Sequence, residues 1–124
     1  MKGHPVPKDL LALSLDELLE RLGEDLGVPL APRDGHHPSA AELRQRARDW
    51  VARRWTNLRE KVCGNLTIQA LRSDNSLLVV ELATLIAANR WLPEVQASYA
   101  AAIVLKIGLD RLCAGQDPFA SGAR

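Results

Sequence analysis

Aromatic side chains are scarce in this chain. Its 124 residues hold three Trp, one Tyr and one Phe, so aliphatic and alanine packing has to supply the core that large rings usually dominate. Cysteine is as sparse. Cys63 and Cys113 alone make neither a disulfide framework nor a zinc ligand set. Both fall in apolar helical patterns and read as small buried hydrophobes of a reduced, cytoplasmic protein, one interhelical disulfide being the other arrangement the sequence permits. Charge of one sign is not in excess: Lys and Arg number 16 against 15 Asp and Glu, a net charge of +1. That balance excludes the strongly basic profile of a dedicated nucleic-acid binder. Long hydrophobic runs are missing too. The longest uncharged apolar run, 95–105, ends at Lys106 after eleven residues, well short of the roughly 20 that span a bilayer. Residues 1–13 carry Pro5, Pro7 and Asp9 with no apolar h-region, unlike a signal peptide. Phosphate-binding loops, GxSxG elbows, HExxH and paired active-site carboxylates are absent from the sequence. The expectation is a protein that is no enzyme and uses no cofactor or metal.

What the chain does have is a 47% apolar fraction, enough for one domain with a real core. It is organised around residues 77–113, which predict two helices, 77–88 and 95–113, hinged at Trp91-Leu92-Pro93. Each is apolar round most of its circumference. Glu81 and Thr84 are the only polar side chains within 77–88, and Gln96, Lys106 and Asp110 form one narrow stripe on the second helix. Tyr99 and Ile103 fall within that stripe, which predicts two sizeable apolar groups at the surface. Run length and alanine content favour helices over strands for these segments.

The rest of the chain has to cover this hairpin. Residues 1–13 are expected as an extended leader, because His4-Pro5-Val6-Pro7 does not start a helix comfortably. Ser14-Leu15-Asp16-Glu17 fits a capping box, and Leu15, Leu18, Leu19 and Leu22 follow at helical spacing, with Gly23 as a stop. Residues 9–25 hold six acids against one base, Arg21, which predicts a short acidic helix at the periphery. Residues 27–38, rich in proline and containing Gly35 and His36-His37, read as a loop tethering that helix. The adjacent histidines are too few for a metal shell and read as solvated. Ser39 and Glu42 make a second capping box, opening a long helix to Cys63 with Gly64 as its cap. A helical turn at 65–72, caps at 73–76 and a loose tail at 116–124 complete the expected order, with 14–115 as the single domain. The predicted fold is all-α, a single bundle of about five helices with the hairpin packed against 39–63.

The one stretch with a candidate binding chemistry is the long helix, where 42–61 holds seven bases and three acids. Arg44, Arg48 and Arg59 share a flank with Trp55, while Arg46 and Arg53 lie on the opposite flank. The function this predicts is a protein–protein interaction module, an adaptor or small helical subunit. It would self-associate through its acidic N-terminal helix and basic middle helix, with Tyr99 and Ile103 adding apolar contact. Copies joined that way would dissociate with salt, and Arg48→Glu or Arg59→Glu would weaken them. The alternative is a nucleic-acid-binding subunit using Arg44, Arg48, Arg53 and Arg59 on phosphates and Trp55 on a base.

Overall fold

The computed structural model describes residues 7–26 and 38–119. The 27–37 part of the expected tether, His36-His37, the start of the leader and the end of the tail lie outside those residues. The described chain contains seven helices and no strand: α1 (Pro7–Ala12), α2 (Leu15–Leu26), α3 (Ala40–Cys63), α4 (Leu66–Ala70), α5 (Asn75–Ala88), α6 (Glu94–Ile107) and α7 (Leu109–Cys113).

Polar caps set the helix starts. Ser14 Oγ accepts from the Glu17 backbone N–H at 3.1 Å, and the Ser14 N–H donates to Glu17 Oε1 at 2.8 Å. Ser39 and Glu42 repeat the reciprocal pair ahead of α3. Asn65 and Asp74 accept from the Ile68 and Leu77 amides to open α4 and α5. Each satisfies amides that the first turn of a helix otherwise leaves unpaired.

α5 and α6 pack against each other, but the cover around them differs from the expected one. The acidic helix is central. α2 packs along α3 on one side and along α6 on the other, and Leu18, Leu19 and Leu22 are buried. Its acids occupy the outer positions, with Asp16, Glu17 and Glu24 exposed, so an acidic composition and a central position coexist. Nor does Gly23 stop the helix, which runs on to Leu26. Gly23 is instead the point where α2 meets α3: a Cβ built on it would stand 2.1 Å from the carbonyl oxygen of Leu43. Arg46 Nη1, from the next turn of α3, donates to the Gly23 carbonyl at 3.1 Å.

Three further expectations are corrected. The leader is helical over Pro7–Ala12 and packs on α5 and α6, burying Leu10. Proline is well suited to a first helical position, because the amide it lacks would have no intrahelical partner there. The helix expected at 95–113 is broken at Gly108, whose φ of 115° and ψ of 129° lie outside the range of ordinary L-residues. The break lets α7 turn onto α3. The helix count is therefore seven among the described residues, not about five.

The cysteines are not free thiols. Cys63, at the end of α3, is bonded to Cys113, at the end of α7, with a Cα–Cα distance of 5.7 Å. The chain beyond is held as well. Trp55 Nε1–H donates to the Gln116 carbonyl at 2.7 Å, Arg111 Nη1 donates to the Asp117 carbonyl at 3.1 Å, and Pro118 is buried. The described part of the expected loose tail is thus strapped to the bundle.

Candidate functional site

The arginines of α3 divide by what they touch. Arg44 pairs with Glu20 of α2 at 2.6 Å, so the expected acid–base contact between these helices is made inside one chain. The two side chains remain 27% and 33% exposed. A pair so open to water is worth at most about 1 kcal/mol. Glu20→Gln is accordingly expected to lower stability by less than about 1 kcal/mol in urea unfolding. A larger loss would mean that the pair organises the α2–α3 contact.

Arg48 is half-buried and Arg53 is exposed on the other flank. Arg59 lies beside the C-terminal turn, where a Cβ on Gly115 would stand 3.1 Å from its Nη1. The guanidinium carbon of Arg54 sits 5.3 Å from the centre of the Trp50 ring, within cation–π range.

Trp55, assigned by the sequence to stack on a base, is buried at 5% exposure, with its indole N–H committed to Gln116. It faces the core because it adjoins the apolar stripe of Val51, Leu58 and Val62 on α3. The flank of α3 therefore presents guanidinium groups without an indole platform.

The second expected surface also moves. Ile103 has no exposed area and Tyr99 is half-buried against the core. α6 is enclosed by α1, α2, α5 and α7, and the break at Gly108 removes Asp110 from the stripe that was expected to face water. Among the described residues, large apolar side chains are uncovered singly at Leu66 of α4, 83% exposed, and Val95 of α6, 36% exposed, and as a neighbouring pair only on α5. Leu77 is 51% exposed and Val80 48%. Thr84 and Ala88 continue the exposed face along the helix, at the three- and four-residue spacing that places side chains on one side. Thr84 turns its hydroxyl inward, donating to the Val80 carbonyl at 2.8 Å. Among the described residues α5 is flanked along its length only by α6, with α1 and α4 touching it less extensively. The sequence signal was the stretch 77–88, where Glu81 and Thr84 are the only polar side chains and the apolar arc is wider than one neighbouring helix covers.

A cleft of about 200 Å³ lies where α5 begins and α6 breaks, lined by Arg72, Asn75, Leu78, Leu105, Gly108 and Asp110. It is smaller than the roughly 300–1,000 Å³ typical of ligand sites, and an Arg72–Asp110 ion pair lies at it. No group of three metal-ligating side chains occurs among the described residues. Two carboxyls are shifted. The Ser14 backbone N–H holds Glu17 below the usual carboxylate range, while burial raises Asp25. The first shift belongs to a helix cap and the second to the last turn of α2. No described helix is long and apolar enough to cross a membrane. Comparison with protein-family models, curated proteins and solved structures yields no match, and the functional reading rests on the chain's own residues.

Proposed function

We propose that the protein is a non-enzymatic interaction module that docks another protein through the outer face of α5. The observation that carries this reading is the half exposure of Leu77 and Val80 on a helix whose opposite side belongs to the core. Large apolar groups clustered at the surface of a small domain are favourable places for a partner to exclude water. The version in which α2 of one copy meets α3 of another has less to work with. Glu20 and Arg44 are joined within one chain, and the apolar side of α2 is buried. A nucleic-acid role loses its stacking group to the core. The cytoplasmic setting loses its support as well, because a Cys63–Cys113 disulfide persists most readily in an oxidising compartment.

A photoreactive benzoylphenylalanine at Val80, activated in cells, tests the proposal. The expected result is a covalent protein adduct from position 80 and none from the exposed Thr56 of α3. Absence of any adduct from position 80 overturns it.

A further inference from the structure

We infer that the partner of the α5 face is a second copy of this chain, the two α5 helices running antiparallel about a two-fold axis. This rests on the reading of α5 as a docking face and names its occupant. The face is uneven in size along its length. Leu77 and Val80 project from the N-terminal half of α5, whereas Thr84, Ala87 and Ala88 leave the C-terminal half low. Antiparallel pairing lays the bulky half of one helix over the low half of the other, so ridges enter grooves. Parallel pairing would set bulk against bulk and leave a gap at the other end.

Charge points the same way. Exposed Asp74 caps the start of α5 and exposed Arg90 follows its end, held there with a φ of 61°. The register that sets Leu77 over Ala88 of the second copy brings Asp74 to within about one residue of Arg90 of that copy, and the two-fold axis makes the contact twice. The opposed helix dipoles add to this arrangement. Between these ends the face carries no charged group except Glu81, half-buried on its flank, so a strongly acidic or basic partner has little to pair with there.

A helix of 14 residues is about 21 Å long. Its face is smaller than the ~800 Å² per partner of a standard stable interface, so the pairing is weak and concentration-dependent. Sedimentation equilibrium is therefore expected to show a mass rising from one chain towards two between about 10 µM and about 1 mM. Val80→Glu is expected to abolish the rise without moving the unfolding midpoint.

Orientation is read by oxidative crosslinking with the native disulfide intact. Thr84→Cys, near the axis, is expected to give a covalent dimer. Ser76→Cys, near the helix end, would lie roughly 20 Å from its counterpart and give none. A single-chain mass throughout, or a dimer crosslinked through position 76 and not 84, overturns the inference. If mass stays at one chain while position 80 photocrosslinks a different protein, the docking face stands and the second copy falls. If neither occurs, both fall.

Discussion

Gly23→Ala is expected to destabilise the protein by about 3 kcal/mol or more, despite replacing glycine with the best helix former. Alanine in a helix interior gains roughly 1 kcal/mol over glycine. Here the added methyl would stand 2.1 Å from the Leu43 carbonyl oxygen and 2.7 Å from its carbon. Both atoms are backbone, so no side-chain rotation relieves the contact. α2 and α3 would have to separate. Overpacking of this kind costs about 1–3 kcal/mol even where neighbours adjust, and the separation also stretches the Arg46 bond to the Gly23 carbonyl. In a domain whose total stability is of the order of 5–15 kcal/mol, that is a large fraction. Gly64→Ala is the matched control. Its φ is −96° and a Cβ there would meet nothing within 4 Å, so the expected change is between zero and a gain of about 1 kcal/mol. Urea midpoints for the two variants decide the matter: a Gly23→Ala protein as stable as its parent would refute the close crossing of α2 and α3.

Opening the Cys63–Cys113 bond is expected to cost about 4 kcal/mol, the loop-closure entropy for half-cystines 50 residues apart. Both are half-buried, so replacing them by alanine removes little core contact and the effect falls mainly on the unfolded chain. The parent should lose that stability when reductant is added. The Cys63→Ala/Cys113→Ala double variant should be as weak as the reduced parent and indifferent to reductant. Free thiols in the untreated protein, together with a midpoint unmoved by reductant, would dispose of the covalent tie.

Much of the architecture could be read from local pattern. The capping boxes at Ser14 and Ser39, the cap at Asp74 and the apolar helix at 77–88 depend on neighbours within one turn, and the structure contains them, whereas the apolar helix expected at 95–113 runs only to Ile107. What escaped were relations between distant segments. Leu18, Leu19 and Leu22 declare that α2 buries a face, but not which helices it meets, and its outward acids suggested the edge of the bundle. A glycine late in a helical pattern is compatible with a stop or with a close crossing, and only Leu43 distinguishes them. The polar stripe on the last expected helix misled because Gly108 ends α6 before Asp110. With that residue in another helix, the stripe no longer marks the solvent side, and Ile103 is interior. The exposed α5 face was visible only as a surplus of apolar circumference, without a sign of which arc would stay bare. A cysteine pair 50 residues apart leaves no local trace.

The covalent ring closed by Cys63 and Cys113 encloses α4, α5, α6 and α7 and leaves α1, α2 and all of α3 but its last residue outside it. Local opening of the fold is therefore directional. The N-terminal pair can peel away with no bond broken, uncovering the inner sides of α3 and α6, while the ring keeps α5, α6 and the end of α3 within reach of one another. The cooperative unit most resistant to opening is thus the looped stretch 63–113, about two-fifths of the chain. The acidic helix, although central in space, is the piece whose departure the covalent structure permits.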